Sequence, residues 1–545
     1  MSGSRRKQAL GLLLGFLMLA SSCSALTPTD RGTRLENGTV VVGLAQEPAI
    51  MNPWVSEGNL QATHSLSLMV LYPLWRLTPD FEYEPLLLDG EPEVSEDPFT
   101  VTYRLKEEAT WSDGVPITAE DIRFTLETCL NEDFAIAVRA GCQMVDMEAS
   151  EIVDDKTFRM VFKEPYAPWR SLFSNAAGSI LPAHELEGED FDEVWDDGIT
   201  VSSGPLKFES WNRGQQMTLT RNENFWGESQ PGFERFVLRF IEDSSVQVQA
   251  LRGAEIDALS SQPQIDLVDQ VEDLDGIDYE VTSGGVWEFF EFNHGVEGLG
   301  EDHAFVREAI AMGINREELV DVLIGPMNPE AEPLQSIIYV NDQPEYEPAF
   351  DQWSFDPEGA RALLEENGCV TGDDGIYVCD GVRLSFDYAY TSGNELRELQ
   401  FVIIQAYMKD IGIALSSQTQ DPASFFGDLW PSGTDGAWEL FNQAWLNTAD
   451  PNPALEFWVC DGAMNFRSYC NEEVDRLIAA SRTELDPQRR AALLNEADEI
   501  MADDLPALPL YQSPVFLAWA RQIEGAQPNP TDWGHFWNVE EWGLR

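Results

Sequence analysis

Between Phe99 and Phe124 the hydrophobic period of the chain changes from two to helical spacing within a few residues. Phe99, Val101, Tyr103 and Leu105 alternate with Thr100, Thr102, Arg104 and Lys106, the pattern of a strand with one buried face. Asp113-Gly114 then supplies turn chemistry, and Pro116 fixes the backbone on exit. Thr118 is placed to cap a helix, with Asp121 at the third helical position in a capping-box arrangement. That helix carries Ile122, Leu126, Cys129 and Leu130 on one face. On periodicity alone this is an ordinary strand-turn-helix unit.

At 545 residues with 43% hydrophobic content, the chain can bury a large core and is expected to divide into two or more domains. Asp and Glu total 96 against 33 Lys and Arg, a formal charge of -63. That balance opposes nonspecific binding to nucleic acid or to an anionic bilayer. As a solubility device, or as adaptation to salt, the acidity needs no ligand. The functional alternative is a field that concentrates cationic ligands, which is screened within about 10 Å at 0.1 M salt.

Arg5, Arg6 and Lys7 precede the apolar run from Ala9 to Ala20, long enough for a signal-peptide core and short for a membrane span. Ala20-Ser21-Ser22-Cys23 resembles a bacterial lipobox, which implies a signal peptide over 1–22 and lipid modification of Cys23; cleavage for free secretion is the alternative. Two or more acyl chains would make the anchor stable. A polar tether over residues 23–38 follows. The other six cysteines form three near neighbours in sequence: Cys129 with Cys142, Cys369 with Cys379, Cys460 with Cys470. Fifteen connectivities exist for six cysteines, and in an exported protein the local set is the simplest. Each such bridge is worth on the order of 2–3 kcal/mol by loop entropy.

Several stretches carry a resemblance. They are WSDGVPITAEDIRF from Trp111, SSGPLKFESWNRGQQMTLTRNENFWG from Ser202, VQVQALRGAEIDAL from Val246, VREAIAMGINREEL from Val306 and the helix starting at Asn471. Together they resemble the bacterial extracellular solute-binding proteins of family 5, lipoproteins and periplasmic proteins that deliver oligopeptides, dipeptides, nickel and some sugars to ABC importers. The resemblance implies a two-lobed periplasmic-binding-protein-like α/β fold of type II, with a ligand cleft between the lobes. Lobe I would comprise 39–80, 201–285 and 512–545, with an inserted α/β subdomain over 81–200, and lobe II would comprise 286–511. The short aromatic strand from Trp287 to Asn293 would cross from one lobe to the other, and both of these residues are expected at the cleft. The loop EPAIMNPWVSEG, with Trp54 and Glu57, would open the cleft; Glu57 can equally be a solvated loop carboxylate.

From Trp430 to Asp461 aromatics stand beside small polar residues: Trp438, Phe441, Trp445, Asn447, Thr448, Asp450 and Trp458. Apolar walls with a few orienting polar groups are what a pocket needs, and the same tryptophans could equally be core. In peptide-binding relatives an acidic residue three places after the tryptophan pairs with the peptide's amino group. Thr448 holds that place here, and Asp450 is the nearest carboxylate able to take over the ionic role.

There is no GxxxxGK[ST] loop and no HExxH, and the five histidines are scattered. No cofactor, metal site or catalytic residue is therefore expected. The function implied is capture of peptides by hinge closure and delivery to an ABC permease with its ATPase subunits, by a monomer held at the outer face of the cell membrane or in the periplasm. A sugar- or nickel-binding member of the same family is the alternative, and an exported hydrolase a remote one.

Overall fold

The computed structural model describes residues 31–261 and 264–545. The segment expected to be a signal peptide and the expected lipidation site Cys23 lie outside the described residues. Among the described residues no helix is long and apolar enough to cross a membrane.

Ten strands form one mixed sheet: β1 (Thr39–Leu44), β2 (Leu206–Asn212), β3 (Gln216–Arg221), β4 (Arg235–Phe240), β5 (Ala258–Ser260), β6 (Ile277–Phe292), β7 (Ser385–Thr391), β8 (Ala414–Gln420), β9 (Leu440–Leu446) and β10 (Ala507–Ala520). Their spatial order is β8-β7-β9-β6-β10-β5-β1-β4-β3-β2. The long strands β6 and β10 sit in the middle as an antiparallel pair and belong to both ends of the sheet. Ile277–Ser283 pairs with Pro514–Ala520, and Trp287–Glu291 pairs with Ala507–Gln512, with the register shifting between Ser283 and Trp287. A bulge of this kind locally disrupts the ladder and bends the strand.

Two large hydrophobic cores, and a small cluster of Ala389, Phe425, Leu429, Trp438 and Phe441, follow from this layout among the described residues. One gathers Val40, Val42, Trp75, Trp111, Leu219, Leu259 and the C-terminal Trp533 and Trp542. The other gathers Trp287, Phe289, Ile310, Leu319, Tyr388, Leu477, Leu494 and Leu510. The strands β6 and β10 contribute to both, so each lobe is built on one half of the same strand pair. The lobes also interlock. Phe81, on the loop of the hairpin 75–85, takes φ of 60° and buries its ring in the second core, while Ala449 of the second lobe packs on the first core.

The expected strand-turn-helix is present. Phe99–Arg104 pairs with Glu93–Glu96 and Thr157–Val161 in a four-stranded sheet, and Thr118 and Asp121 form the capping box of helix Ala119–Leu130. Asn315, Asn471 and Asp486 cap helices through their side chains as their positions predicted. The three cysteine pairs lie at bonding distance, with S–S separations of 2.06, 1.98 and 2.08 Å.

Two expectations are corrected. The polar tether stops short of residue 38, because Arg31–Glu36 is a helix. Arg34 reaches both oxygens of Asp257, whose side chain is buried, and also donates to the Ala254 carbonyl at 2.9 Å. The crossing strand is also far longer than the aromatic stretch at its end: it begins at Ile277 and runs sixteen residues.

Gly284 and Gly285 stand in the bulge. A Cβ at Gly284 would lie 2.3 Å from the Ser513 carbonyl oxygen, and one at Gly285 would lie 2.7 Å from that of Pro530 and 2.9 Å from that of Asn447. Only glycine fits such an approach. Gly285→Val is therefore expected to destabilise the protein by ~2 kcal/mol or more, read as a lower apparent melting temperature. An unchanged melting temperature would mean that the crossover tolerates a side chain.

Candidate functional site

The bulge is stitched to both lobes. The Gly285 N–H donates to the Pro530 carbonyl at 2.9 Å, and its carbonyl accepts from the Asn447 N–H at 2.9 Å. The Asn447 side chain continues the seam: its Oδ1 accepts from Trp287 Nε1 at 3.0 Å, and its Nδ2 donates to the Ile338 carbonyl at 2.8 Å. Gln343 completes it by donating to the Thr448 carbonyl at 2.9 Å. The segment after β9 is thereby fixed against the crossing strand, at the place where the two lobes meet.

Directly opposite each other on β9 and β6, Trp445 and Trp287 share one face of the sheet. Trp287 is buried and stacks on Phe289 with centroids 4.3 Å apart. Trp445 is half-buried, with its ring edge-on to Phe457 at 4.8 Å. Farther along the same wall stands Trp430, also half-buried, against Phe457 and Phe466. Phe426 beside it is 37% exposed. Beneath this aromatic wall lies a charge pair whose two side chains are both fully buried. Arg467 contacts Glu291 at 2.9 and 3.1 Å, its guanidinium lies 4.7 Å over the Trp458 ring, and Trp430 Nε1 donates to Glu291 at 3.4 Å.

Of the residues expected at the ligand, the structure brings Trp287, Trp445, Asn447, Thr448 and Asp450 together at the seam. Thr448 is half-buried and its hydroxyl donates to the Asp450 carbonyl at 2.8 Å. Asp450 is buried and holds Arg490 with both carboxylate oxygens, at 2.7 and 2.8 Å, while also accepting from the Asn452 N–H. Its charge is thus compensated within the protein. Asn293 and Trp438 lie at the far end of β6 and are buried: Asn293 Nδ2 donates to the carbonyls of Gly433 and Trp438 at 2.8 Å, and Trp438 Nε1 donates to the Trp430 carbonyl at 3.1 Å. Trp54 is buried in the first core, with no hydrogen-bond partner for its Nε1. Glu57 is exposed on a short turn.

Three residues at this junction escaped the reading of the sequence. Trp430 opened the aromatic run and carried a visible signal. Arg490 lies forty residues beyond its partner Asp450, on the helix Pro487–Asp504, so no local pattern links them. Asp532 is one carboxylate among 96. It is 5% exposed, and its Oδ1 has no hydrogen-bond partner. Burial pushes its carboxyl up to about 7. It sits two residues beyond Pro530, whose carbonyl holds the bulge.

Comparison with known proteins agrees with this architecture. The oligopeptide-binding protein OppA of Mycobacterium tuberculosis is 29% identical over 511 residues, covering 91% of this chain and 83% of that protein. Among solved structures, the periplasmic EDTA-binding protein EppA superposes with a TM-score of 0.85 at 25% identity, covering 93% of this chain and 96% of that one. The oligopeptide-binding protein AppA of Bacillus subtilis, in complex with a nonapeptide, shares the fold with a TM-score of 0.76 at 21% identity over 93% of this chain and 99% of its own. The profile described as "Bacterial extracellular solute-binding proteins, family 5 Middle" matches residues 82–466, and on that match the chain belongs to the bacterial extracellular solute-binding proteins of family 5.

Proposed function

We propose that this protein is the solute receptor of an ABC importer and that its cargo is peptide. The observation that carries the reading is similarity to OppA along nearly the whole chain, joined to a two-lobed body whose halves are linked by one strand pair. Two lobes hinged on a shared strand pair can close around a solute and present the closed form to a permease. The receptor hands its cargo over unchanged, and the ATPase subunits of the importer do the work. Cys23 carries the lipid that holds a monomeric receptor outside the membrane, and the three cysteine pairs are oxidised in that compartment.

Within the cleft, Trp445 and Trp430 form the apolar wall that a side chain of the cargo covers, and Thr448 supplies a polar contact beside it. Glu57 reaches the cargo from the opposite lobe. Trp54, Trp287, Asn293, Trp438, Asn447 and Asp450 are the framework behind these residues, because their polar or aromatic surface is already turned inward. Charge also favours peptide over an anionic metal chelate. A chelate needs unpaired cations, whereas Arg467 and Arg490 are bonded to Glu291 and Asp450, and the chain as a whole is at -63.

Denaturing the purified protein and identifying the released solute by mass spectrometry tests this directly. Peptides are the expected result, and recovery of saccharides or a metal complex alone would overturn the reading. Trp445→Ala is expected to weaken peptide binding about tenfold or more, ~1.4 kcal/mol, in calorimetry. Unchanged affinity with a lowered melting temperature would return Trp445 to the core.

A further inference from the structure

A buried carboxylate that meets neither a cation nor a full set of donors is costly, and its free oxygen favours a positive charge beside it. Asp498, on the helix Pro487–Asp504, is such a group. It is 1% exposed, and its neutral donors are the Ile337 N–H, 3.2 Å from Oδ1, and the Ser336 hydroxyl. Its Oδ2 has no hydrogen-bond partner, and among the described residues no arginine, lysine or histidine pairs with it. Arg316, a buried cation of this region, is turned instead to the carbonyls of Leu334, Pro509, Phe350 and Trp353.

One turn back on the same helix face stands Asn495, also buried. Its Nδ2 donates to the Glu345 carbonyl at 3.0 Å, and its Oδ1 is left without a partner. Both side chains line a cavity of about 90 Å³, together with Glu499 from the same helix and Glu347, Pro348 and Ala349 from the facing segment. At roughly 30 Å³ per water, that volume holds a small cation with one or two waters. Glu347 and Glu499 are exposed at its rim and, among the described residues, form no ion pair. The cavity thus joins two unpartnered buried oxygens to two free carboxylates, with no positive side chain in its lining.

We propose that this cavity is a calcium site, in which Asp498 and Asn495 supply the inner oxygens and Glu347 and Glu499 close the shell from the solvent side. An oxygen set without histidine or cysteine suits a hard cation and not zinc or copper. Among the described residues no three His, Cys, Asp or Glu side chains are set to hold a metal by themselves. Water therefore completes the shell, and the affinity falls in the weak range of extracellular calcium modules, a Kd of roughly 10⁻⁴–10⁻³ M. The ion ties the segment 345–349 to the helix that carries Arg490, the partner of Asp450. None of its ligands belongs to the aromatic wall, so the site is independent of the cargo.

The experiment uses the full chain, freed of metal on a chelating resin and titrated with calcium chloride at constant ionic strength. Equilibrium dialysis counts the ions bound, and melting curves record what they do to stability. The wild type is expected to bind one calcium more than Asp498→Asn and to gain more in melting temperature on saturation. Ions that merely gather on the acidic surface are common to both proteins and cancel in that difference. Should Asp498→Asn not fold, Glu499→Gln, at an exposed position on the same cavity, takes its place and is expected to weaken the site about tenfold. Equal calcium uptake and an equal gain in melting temperature by the wild type and the folded variant, or no response of the wild type at all, overturns the proposal.

Discussion

The pairing of β6 with β10 is the constraint from which the rest of this structure follows. Two antiparallel strands run through both lobes, so every rearrangement between the lobes must pass through one short stretch of backbone around Gly284, Gly285 and Ser513. A continuous ladder would resist that bending. The register shift removes hydrogen bonds where flexibility is needed, and the Gly285 contacts to Pro530 and Asn447 set how far the chain departs from the ladder. A hinge made this way has few soft dihedrals and two stiff flanks.

The stiffness of the second-lobe flank comes from charge as well as packing. Glu288 and Glu291 leave β6 on opposite faces, and each meets a buried arginine, Arg397 at 2.8 Å and Arg467 at 2.9 Å. Buried ion pairs return little net stability, but removing one partner strands the other and costs about 3–5 kcal/mol. Such pairs tie Thr391, Asn442 and Gln443 into the strand's surroundings and fix the aromatic wall above Glu291. The first-lobe flank has another device, a C-terminal segment whose Asn, Thr and Trp side chains fasten it to the lobe around Asp532.

What could be read from the sequence was local. Thr118, Asn315, Asn471 and Asp486 announce helix starts through interactions three or four residues long, and these are realised as read. The alternation from Phe99 to Lys106 likewise needs no distant partner. The crossing strand was underestimated because its first half, IDYEVTSGG, is polar and glycine-bearing, and only pairing with β10 makes it a strand. The tether was misjudged for a related reason: the helix Arg31–Glu36 is held by Asp257, more than two hundred residues away. Around the cleft, the run from Trp430 to Asp461 passes through tight helical turns and a strand, so no single period says which tryptophan faces inward. Composition pointed to this run, but Trp438 turned out buried and Trp430 half-exposed. The bonding of Asp450 to Arg490 is a three-dimensional fact with no counterpart in the neighbouring residues.

The account therefore stands on motion about one strand pair, driven by a solute held between two lobes. Small-angle X-ray scattering of the solute-free protein, repeated at saturating peptide under the same buffer conditions, measures that motion in the whole molecule. The radius of gyration is predicted to fall on saturation as the lobes close. Identical scattering with and without peptide, at concentrations where calorimetry records full occupancy, would contradict it.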